Sequence, residues 1–448
     1  MSLPRYPNYK DSGVEWLGEV PGHWGASPLK AVATHNDDVL DETTAPDSEL
    51  VYVDISSVDP IDGITAKEAM LFSAAPSRAR RRVRHGDVIV STVRTYLRAI
   101  ARIRDPEDNL VVSTGFAVVR PGSKLAPDFL GYIVSASYFV EQVIARSTGV
   151  SYPAINASEL IAIQVAVPPL AEQTQIAAFL DRETAKIDEL VAEQRRLMAL
   201  LKEKRQAVIS HAVTRGLNPH APLKPSGIEW LGDVPEHWDV CSIRRVVSAI
   251  EQGWSPECHS RLADDDEWGV LKAGCVNRGI YDQQENKALP EELVPVPEYE
   301  VCVGDVLMSR ASGSPELVGS TALVTSTRPK LMLSDKIFRL RFELVMEPGF
   351  FVAALNSRPL RSQIEQALSG GNGLANNLPQ SALLGFFLCV PSVLEQRAIC
   401  VFLRTETTKL DTLTTEAQRA IDLLQERRTA LISAAVTGQI DVRSAVAA

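Results

Sequence analysis

The stretches PPLAEQTQIAAFLDRETAKIDEL at residues 168–190 and PSVLEQRAICVFLRTETTKLDTL at residues 391–413 are two versions of one sentence. Extended to fifty positions, 168–217 against 391–440, they share 23 identities at a spacing of 223. Each opens on proline, which fits a first helical turn, and neither Pro nor Gly interrupts the next forty residues. The first copy sets Ile176, Leu180, Glu183, Ile187, Leu190, Gln194, Leu197, Leu201, Lys204, Val208 and His211 at alternating steps of four and three. The second repeats this with Ile399, Leu403, Glu406, Leu410, Leu413, Ala417, Ala420, Leu424, Arg427, Leu431 and Ala434. A sustained 3.5-residue period predicts a coiled-coil seam. A forty-residue helix is roughly 60 Å long at 1.5 Å per residue.

Working outward, each helix closes a longer repeated unit. SGVEWLGEVPGHW at 12–24 returns as SGIEWLGDVPEHW at 226–238, ten of thirteen positions identical at a spacing of 214. HGDVIVS at 85–91 is answered by VGDVLMS at 303–309. Two copies make a duplicated domain and not a solenoid. Between head and helix lie short β-branched runs such as LVYVDI, DVIVSTV and FAVVRP, with a helical pattern from Phe129 to Ile144. The predicted fold class is therefore mixed α/β (α+β), with two duplicated globular domains joined by two long helices. The expected segments are an arm at 1–20, a first domain at 21–167, a helix at 168–217 and a linker at 218–238. A second domain at 239–390, a helix at 391–440 and a tail at 441–448 follow.

At 448 residues the chain is too long for one typical core. No apolar run approaches a membrane span, and the N-terminus carries no signal-like apolar core. The six cysteines all lie in the second half without a CxxC pair, which reads as free thiols in a reducing cytoplasm and not as a zinc site. The net charge of −10 is unfavourable for nucleic-acid binding, and residues 225–390 hold 22 acids against 14 bases. One segment runs the other way. Arg78, Arg80, Arg81, Arg82, Arg84, Arg94, Arg98, Arg102 and Arg104 face a single acid, Asp87, within 27 residues.

Catalytic motifs are missing from the sequence. There is no phosphate loop, HExxH helix, GxSxG elbow or Asn/Asp-Pro-Pro-aromatic methyltransferase segment. LSGGNGLANN at 368–377 precedes no Lys-Ser/Thr pair and reads as a surface loop, and LADDDEWG at 262–269 reads as a solvated acidic loop. His23 and His237 sit beside Trp24 and Trp238 and a proline, a packed corner more than a catalytic pair. Glu172 and Glu395, at helix starts, complement the helix dipole. The arginines around Thr95 and Tyr96 offer forks for guanine edges, hydroxyls for phosphates and a ring for packing.

Taken together, YPNYKDSGVEWLGEVPGHW and its copy, GDVIVSTVRTYLRAIA with GDVLMSRASG, and VPPLAEQ with VPSVLEQ resemble the specificity subunit of type I restriction-modification enzymes. The resemblance covers nearly the whole chain. It implies two target-recognition domains, each reading half of a bipartite, asymmetric site in double-stranded DNA, with two antiparallel helices between them in a pseudo-twofold arrangement. It also implies no catalytic site and no metal or cofactor in this chain. Two methyltransferase subunits and two restriction subunits would dock on it, carrying S-adenosylmethionine, ATP and Mg. By the family's pattern the DNA-facing candidates are Arg78, Arg81, Arg82, Arg94, Thr95, Tyr96, Arg98, Ser151, Tyr152 and Asn156 in the first domain. In the second they are Lys272, Asn277, Arg310, Ser312, Asn372, Asn376 and Asn377. An antiparallel register pairing numbers that sum to 610 would set Glu183 against Arg427 and Lys204 against Glu406. The rival readings are a coiled-coil scaffold that binds proteins only, and a methyltransferase with degenerate motifs.

Overall fold

A computed structural model describes residues 4–368 and 376–443. The chain divides into two compact units, Met1–Arg195 with Arg419–Ala448, and Arg196–Gln418. The long helices are Leu170–Arg215 and Val393–Val436, and each unit takes part of both.

In the first unit, an antiparallel sheet runs in the order Ile100–Arg102, Val88–Ser91, Phe116–Pro121, Ala33–His35. A second sheet runs Glu68–Leu71, Glu49–Val53, Leu110–Ser113, Ala79–Arg82, with its central pair parallel. The run VIV at 88–90 is apolar throughout because both faces of the strand are buried. Val88 and Val90 join Trp24, Phe129 and Phe139 in one core, and Ile89 joins Val53, Val112 and Phe116 in another. The helical pattern from Phe129 resolves into two helices, Pro127–Ser135 and Ser137–Arg146, separated by extended Ala136.

The second unit repeats this plan. Its antiparallel sheet runs Thr321–Leu323, Val306–Ser309, Ile337–Phe342, Val247–Gln252, and Gly269–Leu271 pairs parallel with Leu331–Met332. The repeated Gly-Asp-Val explains itself here. Asp87, buried at the start of its strand, accepts from Arg120 Nη2 at 2.7 Å, and Asp305 accepts from Arg341 Nη1 at 2.7 Å. Each aspartate also accepts a backbone N–H three residues upstream, from Arg84 and from Cys302.

The Glu-Gln pairs clamp the helix starts. Gln173 Nε2 donates to the carbonyls of Lys124 and Pro168, and its Oε1 accepts from the Ala126 N–H. Gln396 makes the matching bonds to Val345, Pro391 and Glu347. Buried Glu172 accepts from the Tyr6 hydroxyl at 2.6 Å and lies 2.8 Å from His23 Nε2. Glu395 holds the Trp238 indole N–H at 3.0 Å and lies 3.1 Å from His237 Nε2. The histidines themselves are exposed, each set edge-on against a fully buried tryptophan, Trp24 or Trp238. Glu172 serves an additional purpose beyond the helix dipole, anchoring the N-terminal arm.

The helices keep the heptad period but turn a different stripe inward. Leu180, Ile187 and Leu201 are buried as expected, whereas Thr184, Val191, Met198 and Arg205 replace Glu183, Leu190, Leu197 and Lys204 as the more covered positions. The second helix shifts likewise, to Thr414, Ile421 and Arg428, with Glu406 and Thr407 both partly covered. Leu190, Leu197 and Leu413 are more than two-fifths exposed, because apolarity alone could not tell seam from outer face. The expected register is corrected with it. Glu183 pairs within its own helix, with Lys186 at 2.9 Å and Arg182 at 3.4 Å, and Glu406 with Lys409 at 2.7 Å. The ion pairs between the helices are Arg428–Asp188 and Arg205–Asp411, whose numbers sum to 616 in both cases. Within the first unit Ile176 and Leu180 share a core with Ile432 and Val436, while the later Asp188 meets the earlier Arg428. Within the second, Ile209 and Val213 share one with Ile399 and Leu403, while the earlier Arg205 meets the later Asp411. In each unit the helices therefore run antiparallel.

Candidate nucleic-acid interface

In the first unit the strand Val88–Ser91 leads into a turn that projects arginine at both ends. Arg94 (φ 50°) and Arg98 (φ 52°) both adopt the left-handed conformation around the short helical turn Thr95–Leu97. Each such non-glycine residue costs about 1–3 kcal/mol, and strain of this kind collects at functional sites. The turn is held from below, where the hydroxyls of buried Thr95 and Ser147 share a 2.8 Å hydrogen bond. Thr95 therefore positions the turn and does not face solvent, a correction to its expected DNA contact. Arg94, Tyr96, Leu97 and Arg98 are exposed.

A second loop meets this turn. The N–H of Ile155 donates to the Thr92 carbonyl at 2.9 Å, and Val93 bridges Ala154. The exposed Tyr152 ring lies 4.9 Å from the Arg94 guanidinium carbon, a stacking contact. Asp54, Arg78, Arg94, Leu97 and Tyr152 line an open concavity of about 520 Å³. Gly115 makes the close approach possible, since a Cβ there would fall 2.3 Å from Ile55 Cδ1.

The arginine cluster is partitioned. Arg84 pairs with Asp38, Arg104 with Asp128 and Asp181, and Arg102 with Asp181 while lying 3.5 Å from the Tyr132 ring centroid. Arg80 lies over Phe72. Arg81 is half-buried, its Nη1 lacks a hydrogen-bond partner, and burial pushes its guanidinium pKa down. Among the described residues, Arg78, Arg82, Arg94 and Arg98 form no ion pair and are exposed. Ser151 is exposed beside Tyr152. Asn156 begins the helix Ala157–Leu160 in a capping box with Glu159, so its amide is engaged locally.

In the second unit the equivalent strand Val306–Ser309 leads to Arg310, which is half-buried 5.8 Å from the Phe338 centroid. Ser312 pairs with Asn376, and Ala311 with Asn377, so these candidates come together. The Ser312 hydroxyl accepts from the Ser314 N–H, and Asn376 Nδ2 donates to the Gly313 carbonyl at 3.4 Å. Asn372 lies outside the described residues. Lys272 and Asn277 sit on a separate turn, Lys272 3.6 Å from Glu285. Sequence reasoning passed over Arg278, exposed on that turn at φ 59°, and Asp54, which directly follows the strand Glu49–Val53.

Residues 82–196 match the family model for the type I restriction modification DNA specificity domain. The EcoEI specificity subunit of Escherichia coli is 34% identical over 197 residues, 43% of this chain and 33% of that subunit. The EcoKI specificity subunit of E. coli K12 is 23% identical over 329 residues, 72% of this chain and 68% of that one. The putative MjaX specificity subunit of Methanocaldococcus jannaschii is 21% identical, covering 96% of both chains.

Over most of its length the chain is similar to DNA specificity subunits of type I restriction-modification systems, and residues 82–196 match their DNA specificity domain.

The fold agrees. A chain solved in a type I restriction-modification assembly superposes with a TM-score of 0.73 at 22% identity, over 93% of this chain and 98% of that one. The subunit from Thermoanaerobacter tengcongensis gives 0.51 at 23%, over 94% and 98%. The family segment at 82–196 contains the Arg94–Arg98 turn, Tyr152 and the start of the first long helix. The match to the EcoEI subunit spans about a third of that protein's length.

Proposed function

We propose that this chain is a specificity subunit that reads a bipartite, asymmetric target in double-stranded DNA, each β-rich domain reading one half. The observation that carries the reading is the Arg94–Arg98 turn. Two unpaired arginines are held at a backbone cost around an exposed Tyr96, and Arg94 is stacked on Tyr152. Arginine forks match the guanine O6/N7 edge, and exposed rings suit packing on bases and sugars. Arg78 and Arg82 would add phosphate contacts. In the second domain Arg310, Ser312, Asn376 and Asn377 would serve the corresponding purpose, with Lys272, Asn277 and Arg278 contributing from a separate turn. The segment boundaries expected from the duplication belong to the same proposal, with the helices acting as spacer.

The subunit acts by docking others. Leu190 and Leu413 are matched by the 223-residue spacing, as are Leu200 and Leu423, and all four side chains are exposed. Equivalent apolar positions on both helices suit two copies of one partner. Two methyltransferase subunits, then two restriction subunits, would assemble in the cytoplasm and supply S-adenosylmethionine, ATP and Mg. Among the described residues no helix is long and apolar enough to cross a membrane.

The test is selection from a randomised duplex library by the full chain assembled with its methyltransferase partner. The expected result is one motif with two specified halves and an unspecified spacer. Recovery of unselected sequence would contradict the proposal.

A further inference from the structure

The concavity beside Arg94 contains a carboxylate. Asp54 follows the strand Glu49–Val53 and begins the short turn Ile55–Ser57. Its Oδ1 accepts from the Ser56 N–H at 3.2 Å and the Ser56 hydroxyl at 3.0 Å, and its Oδ2 accepts from the Tyr52 hydroxyl at 2.9 Å. Burial alone would raise the acid's pKa. The hydrogen bonds from Ser56 and Tyr52 outweigh that and hold it below the usual carboxylate range, so the group is ionised. Among the described residues it has no ion-pair partner, although Arg78 and Arg94 line the same concavity.

A bare negative charge is unfavourable on a surface that meets phosphates. Base edges differ from phosphates in one relevant respect, because cytosine and adenine present amino groups in the major groove. A carboxylate has about four lone-pair positions. Oδ1 is turned to Ser56, and Oδ2, which accepts from the Tyr52 hydroxyl, has room for a further donor. We propose that Asp54 is a specificity-determining residue of the first domain, accepting a hydrogen bond from the exocyclic amine of cytosine or adenine beside the base read by Arg94. This rests on the DNA-reading function proposed above and names a residue and a chemistry for it.

The duplication supports the assignment. In the second domain the residue that begins the equivalent turn, after the strand Gly269–Leu271, is Lys272. The clamp residues Gln173 and Gln396 and the buried Asp87 and Asp305 are identical between copies, yet here an acceptor becomes a donor. Lys272 makes no capping hydrogen bond, and its turn forms nonetheless. The turn therefore does not require a capping carboxylate at this position, where Lys272 lies 3.6 Å from Glu285 instead, and the difference fits two readers of unlike half-sites.

Asp54→Asn separates the roles. Asparagine keeps the cap, with Oδ1 toward Ser56, and places an amide donor where Oδ2 stood. In the library selection, with chain and methyltransferase partner assembled, preference at one base pair of one half should fall roughly 5- to 150-fold. All other positions should stay as in the parent, and binding to non-cognate duplex should be unchanged or stronger, because a like charge is gone. Asp54→Lys, the copy's own solution, should move that base pair toward one presenting an acceptor, and the base lost identifies cytosine or adenine as the partner. An unaltered motif in both variants, or uniform weakening across all positions, would overturn the inference while leaving the DNA-reading function intact. A parent chain that selects no motif overturns both.

Discussion

Arg428 donates to Asp188 at 2.9 Å, and Arg205 donates to Asp411 at 3.2 Å, so the second contact is the first carried 223 residues along with its partners exchanged. Each contact lies within one unit of the chain. The pairs are partly exposed, and such pairs are worth about 0.2–1 kcal/mol. What they select is direction and register. Asp188→Arg should destabilise the first unit slightly, and adding Arg428→Asp should restore it. A double-mutant cycle with no coupling would remove the pair from the account.

The clamps should matter more. Gln173→Leu would leave the Ala126 N–H and the Lys124 and Pro168 carbonyls without partners in a buried place. Each buried unsatisfied group costs about 1–3 kcal/mol, so a loss of at least ~2 kcal/mol is expected. Gln396→Leu should behave alike. Urea denaturation measures both, and a change under ~0.5 kcal/mol, the size of an ordinary surface substitution, would show that the helix starts are held otherwise.

The duplication, the long helices and the strands around GDV were legible because periodicity and repetition report directly on burial. The seam was half legible. Leu190 and Val191 are both apolar, and only packing decides which turns inward. The arginine run was legible as a cluster but its division was not, because Asp38, Asp128 and Asp181, which neutralise Arg84, Arg102 and Arg104, are distant in sequence. Thr95 looked like a phosphate ligand for the same reason, its partner Ser147 being 52 residues away. Asp54 stayed hidden because an acid just after a strand has many ordinary uses.

The division of the arginines is itself testable. Arg94→Ala should weaken specific binding by ~1–3 kcal/mol and relax one half of the motif. Arg104→Ala should leave the motif unchanged, since its guanidinium is committed to Asp128 and Asp181. Equal effects of the two substitutions would return the segment to an undifferentiated basic patch.

The thiols give a pH dependence. Burial pushes Cys275 and Cys389 up to about 12, while an unfolded thiol titrates near 9. A folded pKa raised above the unfolded one contributes stability that is complete below pH 9 and is lost as pH rises toward 12. Stability should therefore fall across that window. Alkylation at pH 8 should modify exposed Cys302 first and the buried pair last, read by peptide mass. Early modification of Cys275 would contradict its burial.

The central claim is that one chain carries two separate half-site readers. The most direct measurement is the methylated motif, read across a genome, after residues 239–390 are replaced by the matching segment of a relative. One half should change while the other half stays as before. A motif altered in both halves, or altered only in the half assigned to Arg94 and Asp54, would contradict the account.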